Sequence, residues 1–237
     1  MGKATPRMSP DSSELALDPP LSEVLELLYE AYGVWETDGD DDILGVLVST
    51  ILSQSTNSIN STRAFQGLVD RFEGDWERVR AADVTDVADA IAPGGLSKQK
   101  APRIQAILQR LHEQRGELTL EWLREETPEF ARTYLLSMKG VGPKTAAFTL
   151  MRAAGMPLFA MDTHILRLCI RLGWTASSMS DTKAHAFMQA RIPVGHYDSA
   201  HVAMIRHGQK RCFAQNPACA GCPLGHLCPT APGVMDA

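Results

Sequence analysis

Apolar residues recur at helical spacing along nearly the whole chain, and nowhere does strand alternation run into a hairpin turn signal. Val24, Leu25, Leu28 and Ala31 make one stripe; Ile43, Val46, Leu47, Ile51 and Leu52 make a second. The β-branched run over residues 44–52 has strand composition, but its stripe continues too far for a short strand. Phe65, Leu68, Val69 and Phe72 follow, then Ile104, Ile107, Leu108 and Leu111 in a longer segment that stops before Gly116. Later stripes pass through Phe130, Tyr134, Leu135 and Met138, through Ala147, Leu150 and Met151, and through Ile165, Leu168 and Leu172. Ser180 reads as the N-cap of the segment that follows it, with Lys183 where a capping box would place an acid. Glycines and prolines at 94–95, 155–157 and 192–193 separate the segments. Roughly ten helices without a βαβ unit define an all-α protein.

Composition excludes several classes. No apolar run reaches the ~20 residues of a membrane span, and residues 1–20 hold four prolines and no apolar stretch of signal-peptide length. A flexible N-terminal arm over 1–20 and a reducing cytoplasmic setting are the expectations. The net charge of −5 hides a division: residues 1–42 carry eleven carboxylates against Lys3 and Arg7, which leaves the remainder at +4. The acidic front reads as a solvated face, and the acidic total does not exclude an anionic partner for the body. Lys98, Lys100, Arg103, Arg110 and Arg115 are opposed only by Glu113. That stretch either steers a polyanion or is one more solvated helix face.

Chemistry enters at Met138-Lys139-Gly140-Val141-Gly142-Pro143-Lys144-Thr145-Ala146. One apolar segment ends at Met138 and another starts near Lys144, so the intervening residues form a tight turn between helices. Gly140 and Gly142 permit positive φ and leave backbone amides uncovered, and Pro143 at a first helical position sacrifices no hydrogen bond. Amides beside a helix start make an anion-binding concavity suited to phosphate. This is the sequence form of a helix-hairpin-helix; a plain helix–helix corner is the competing reading. Downstream, Asp162 in Met161-Asp162-Thr163-His164 reads first as an N-cap. Beside a reactive lysine, its carboxylate has a second possible job.

Cys212, Cys219, Cys222 and Cys228 give C-x6-C-x2-C-x5-C in a short segment rich in Gly and Pro. Four thiolates in one loop of a reducing compartment mean metal. Zinc and an iron–sulfur cluster both accept four cysteines. Only one CxxC knuckle is present, and the spread spacing favours the cluster. The fifth cysteine, Cys169, sits on a helical apolar stripe as a core thiol.

The hairpin GVGPKTA, then MDTH one helix later, then the four-cysteine loop resemble, in that order, the endonuclease III family of DNA glycosylases/AP lyases over most of residues 21–228. The resemblance implies two helical domains with a DNA-binding cleft between them. A six-helix domain carrying the hairpin would span 37–155, and a cluster domain would combine 21–36 with 156–237. It implies a [4Fe-4S] cluster on Cys212, Cys219, Cys222 and Cys228. Lys144 matches the catalytic lysine and Asp162 the catalytic aspartate. Gly140, Val141, Gly142 and Thr145 match the hairpin that holds the DNA backbone, with His164 near that backbone. Gln54, in Leu52-Ser53-Gln54-Ser55-Thr56, matches a glutamine that fills the gap left by an extruded nucleotide, and Leu96 matches a leucine wedged into the base stack. Without the resemblance, Gln54 reads as a polar helix residue and Leu96 as core.

Three positions depart from the family pattern. Asn57 stands where an Asp is common, Gly94 replaces a bulkier residue beside the wedge, and residues 213–218 carry no positive charge. The implied partner is double-stranded DNA with a damaged base or abasic site, bound by a monomer without a membrane. The implied reaction is excision of damaged, oxidised pyrimidines followed by β-elimination through a lysine Schiff base. For that, Lys144 must act as a neutral amine, and burial beside a helix start is the expected means. The alternatives are a mismatch glycosylase of the same superfamily, or a catalytically weak DNA-binding or redox-sensing paralogue.

Overall fold

A computed structural model of the chain describes residues 18–232. Most of the helices begin at a side chain that satisfies the amides of the first turn, as orphan donors there require. The first is α1, Leu21–Tyr32. Asp42 accepts from Leu44 N and Gly45 N at 3.1 and 2.9 Å and starts α2, Ile43–Ser53. Asn57 accepts from Asn60 N at 2.9 Å and starts α3, Ser58–Phe72, so at this departure the amide supplies the cap that a carboxylate would. Asp75 and Asp83 start α4, Trp76–Ala81, and α5, Val84–Ala90. Next come α6, Ser97–Arg115, and α7, Pro128–Leu136, the latter capped by Thr127. They are followed by α8, Pro143–Ala154; α9, Thr163–Arg171, capped by Asp162; α10, Asp181–Gln189, capped by Ser180; and α11, Tyr197–Lys210. Three short 3-10 turns complete the described residues, which contain no strand. The protein is all-α.

The chain divides into two compact units, Thr37–Leu158 on one side and the described residues 18–36 with 159–232 on the other. In the first, α2 is apolar almost all round and is buried at Ile43, Leu44, Leu47, Val48, Ile51 and Leu52. The run with strand composition is therefore the central helix of its unit, packed on α3, α6 and α8. Arg124 ties the unit's entry to its exit by donating to the carbonyls of Gly39, Asp41 and Ala153. Burying α7 takes a face one residue round from the expected stripe: Ala131, Leu135 and Met138 are inside, while Phe130 is exposed. The small Ala131 allows close approach to α8, and Phe130 instead meets Trp122 edge-on.

In the second unit α1 packs on α11, and α11 on α9. Tyr29 rather than Ala31 completes the buried face of α1. Trp174 donates to Pro19 O at 2.8 Å and holds the lead-in to α1 in place. The flexible arm expected over 1–20 lies outside the described residues up to residue 17. Cys169 is fully buried, and desolvation drives its thiol far above the ordinary range, as a core position demands. Among the described residues no helix is long and apolar enough to cross a membrane.

Candidate functional site

The turn from α7 to α8 has the backbone a helix-hairpin-helix requires. Gly140 sits at φ 88°, a conformation that demands glycine, and a Cβ there would also stand 2.9 Å from Arg103 Cδ and push that side chain aside. Gly142 is the N-cap of α8, no side chain caps the helix there, and nothing lies within 4 Å of where its Cβ would stand. Pro143 takes the first helical position. Val141 and Thr145 are buried and anchor the turn. Lys144 follows in the first turn of α8, half-buried, with Nζ 5.4 Å from the Phe148 ring centroid one turn on.

Gln54 belongs to the same site. At the C-cap of α2, its Nε2 donates to Gly140 O at 3.2 Å and to Thr145 Oγ1 at 3.3 Å. Leu96 is 49% exposed and holds φ 52°, the left-handed region that a leucine rarely adopts. Reading it as core fails on both counts. A large apolar side chain held out in water on a strained backbone is an arrangement that folding alone does not favour. Gly94, the second departure from the family pattern, has a packing reason: a Cβ there would come within 2.9 Å of Ala64 Cβ.

The basic stretch of α6 does not form one solvated face. Lys100 is 1% exposed, and its Nζ donates to Leu52 O at 2.7 Å and Gly94 O at 2.9 Å. Arg110 donates to Ser137 O and Oγ at 2.8 Å each, on the approach to the hairpin, and the Arg103 stem lies against Gly140. These residues brace loops. Helical spacing held a clue to this, because Lys100 stands four and seven residues before Ile104 and Ile107 and so falls on the buried arc of α6.

In the other unit, Asp162 Oδ1 accepts from His164 N and Ile165 N at 2.9 Å each, which makes Asp162 the N-cap of α9. Both bonds go to one oxygen, leaving Oδ2 outside the cap. Arg167 Nη2 lies 2.9 Å from His164 Nδ1. A guanidinium only donates, so Nδ1 is the acceptor and the imidazole proton sits on Nε2. His164 also packs on Gly208 of α11, where a Cβ would stand 2.6 Å from His164 Cβ.

Cys212, Cys219, Cys222 and Cys228 line one cavity of about 110 Å³. Burial raises the Cys222 thiol, and the proximity of Cys212, Cys219 and Cys228 raises it further, as expected of four groups sharing a small space. Arg171 Nη1 donates to Cys212 Sγ at 3.0 Å and to Phe213 O at 2.7 Å, supplying a cation beside the thiol set. Among the described residues, no three His, Cys, Asp or Glu side chains are spaced to hold a single metal ion. Four cysteines lining one cavity are a donor set of the kind that a polynuclear cluster takes.

Residues 48–193 match the model of the HhH-GPD superfamily of base excision DNA repair proteins. Endonuclease III of Thermotoga maritima is 32% identical across 80% of this chain and 84% of its own length.

The chain belongs to the HhH-GPD superfamily.

That is a DNA glycosylase family, and endonuclease III is a relative that this chain resembles in structure as well as sequence. A solved non-covalent endonuclease III–DNA complex superposes with a TM-score of 0.75 at 25% identity, over 87% of this chain and 92% of that one. A candidate DNA glycosylase of Arabidopsis thaliana is 38% identical over 65% of this chain, which spans 52% of that relative. Against the first plant relatives generally, the chain spans about half of their length or less.

Proposed function

We propose that this HhH-GPD protein is a bifunctional DNA glycosylase/AP lyase that excises damaged, oxidised pyrimidines from duplex DNA and then cuts the strand. The observation that carries the reading is Lys144 in the first turn of α8, directly after an uncapped glycine hairpin. A glycosylase that hydrolyses with water alone has no use for an amine at that place.

A target sugar carbon is inaccessible inside the duplex, so the nucleotide is extruded at a cost of about a few kcal/mol. Leu96, held exposed, enters the stack, and Gln54 occupies the vacated space. The turn of Gly140, Val141, Gly142 and Thr145 holds a backbone phosphate through main-chain amides other than that of Val141, which donates to Met138 O at 3.2 Å and shapes the turn, and His164 Nε2–H donates to another phosphate oxygen. The positive end of the α8 dipole disfavours an ammonium at Lys144 and so favours the nucleophilic amine. Its nitrogen forms a bond to C1′ as the C1′–base bond breaks, and the departing base takes the electron pair and a proton. Loss of a proton from nitrogen and opening of the sugar ring give a Schiff base. That imine acidifies the 2′ hydrogen, and its removal expels the 3′ phosphate, cutting the strand. The Asp162 carboxylate stabilises positive charge developing on the sugar and relays protons.

The donor set suits a [4Fe-4S] cluster held by Cys212, Cys219, Cys222 and Cys228. Bound there, such a group supplies a structural cross-link of the C-terminal loop and a one-electron redox centre.

Borohydride trapping on duplexes bearing an oxidised pyrimidine, an abasic site or a mismatch tests the reading. A covalent adduct through Lys144 on the first two is expected. Base release from mismatches with no adduct on any substrate would establish a monofunctional mismatch enzyme instead.

A further inference from the structure

Lys100 is a fully buried cation that the proposed chemistry does not use. It lies three residues into α6, and its Nζ bonds the carbonyls of Leu52 and Gly94. Each of those carbonyls stands two residues before a residue assigned to nucleotide extrusion: Leu52 before Gln54, and Gly94 before Leu96. Both segments also contain a non-glycine residue in the left-handed region, Ser55 at φ 55° and Leu96 at φ 52°. Conformations of that kind persist only where the surroundings over-determine them.

The two carbonyls are otherwise poorly served. Leu52 O belongs to the last turn of α2, where intrahelical donors have run out and a cation meets the negative end of the dipole. Gly94 ends the 3-10 turn before the wedge, and its carbonyl lies beyond that turn's own hydrogen bonds, which go to Ile91 O and Ala92 O. An ammonium with three donors can hold both at once; a neutral side chain of similar length cannot. Burial, and then the nearby Arg103 cation, hold the Lys100 pKa below the ordinary lysine value. Replacing Gly94 by any larger residue would press on Ala64 and toward Leu52 O, so the glycine keeps the two carbonyls within reach of one ammonium.

We propose that Lys100 is a positioning residue that locks the gap-filling loop at Gln54 and the wedge at Leu96 into one rigid extrusion tool. This rests on the glycosylase/AP lyase reading of the site. Its consequence is selective. Extrusion from a paired duplex needs both parts in register, whereas an abasic site in a single strand needs neither, and Lys144 chemistry on that substrate should survive.

The test compares wild type with Lys100→Met and Lys100→Arg. Readouts are single-turnover excision of an oxidised pyrimidine from duplex, borohydride trapping on a single-stranded abasic oligonucleotide, and 2-aminopurine fluorescence beside the duplex lesion. Lys100→Met should lower the duplex rate by at least about tenfold and lose the fluorescence change, while single-strand trapping stays within about twofold of wild type. Lys100→Arg, which keeps a buried cation, should restore part of the duplex rate. If Lys100→Met does not melt cooperatively, Lys100→Gln carries the same comparison. An equal loss on both substrates, or no loss on duplex, overturns the positioning role. A wild-type protein that traps on neither substrate overturns the parent reading, whereas one that traps while the variants keep its duplex-to-single-strand ratio overturns this inference alone.

Discussion

Gln54 donates from its side-chain amide to the carbonyl oxygen of Gly140, 3.2 Å away and 86 residues further along the chain. The contact joins the end of the central helix α2 to the turn that precedes Lys144. A second bond from the same nitrogen to Thr145 Oγ1 fixes the first turn of α8. The residue proposed to fill the gap and the turn proposed to hold a phosphate are thereby one local structure, and movement in either disturbs both.

Lys144→Ala should abolish borohydride trapping and strand cleavage with little change in stability. The side chain is half-buried, and losing its cation–π contact with the Phe148 ring at 5.4 Å should cost about 0.5–1 kcal/mol. Thermal melting alongside trapping checks it. A trapped adduct in this variant would place the nucleophile elsewhere.

Asp162 offers a clean separation of fold from chemistry. Asparagine caps helices about as well as aspartate, so Asp162→Asn should keep the bonds from His164 N and Ile165 N and melt like wild type. Asp162→Ala loses them and should cost about 1 kcal/mol. Both should be strongly impaired in base excision. Activity that tracks the melting temperature rather than the carboxylate would mean that Asp162 only caps.

Leu96→Gly should stay within about 1 kcal/mol of wild type in stability, because relief of a left-handed leucine offsets the loss of the half of the residue that is buried. Excision from duplex should fall nonetheless. Urea unfolding together with single-turnover rates decides it, and a variant that loses clearly more than about 1 kcal/mol refutes the view that function rather than packing keeps leucine there.

Metal analysis of protein purified without oxygen should find about four irons per chain. One zinc and no iron would overturn the cluster reading of the C-x6-C-x2-C-x5-C spacing.

The bare loop between Cys212 and Cys219 predicts a shallow salt dependence of DNA binding, since it offers no cation at 213–218. Asn216 holds φ 49° and Ala218 lines the cysteine cavity, so neither tolerates a long side chain well. Ala214 and Gln215 are exposed. Ala214→Lys with Gln215→Arg should steepen the slope of log K against log salt by up to about two units, equally for damaged and undamaged duplex. An unchanged slope would show that this loop does not approach DNA.

Much of this protein is legible in the sequence because it is local. Helical stripes, the caps at Asp162 and Ser180, the glycine turn at 140–142 and the cysteine spacing each depend on residues within a few turns of one another. Tertiary structure decided what depends on distant neighbours. It turned the α7 face so that Phe130 is out and Ala131 in, because α8 had to come close. It made Leu96 exposed rather than core, and it drew Lys100 out of a run of basic residues into the interior. That last outcome has a single sequence signal, the place of Lys100 four residues before Ile104 on the apolar stripe of α6. A lysine is soluble almost everywhere, and it is buried here only because two carbonyls from segments 42 residues apart, at Leu52 and Gly94, converge on one ammonium.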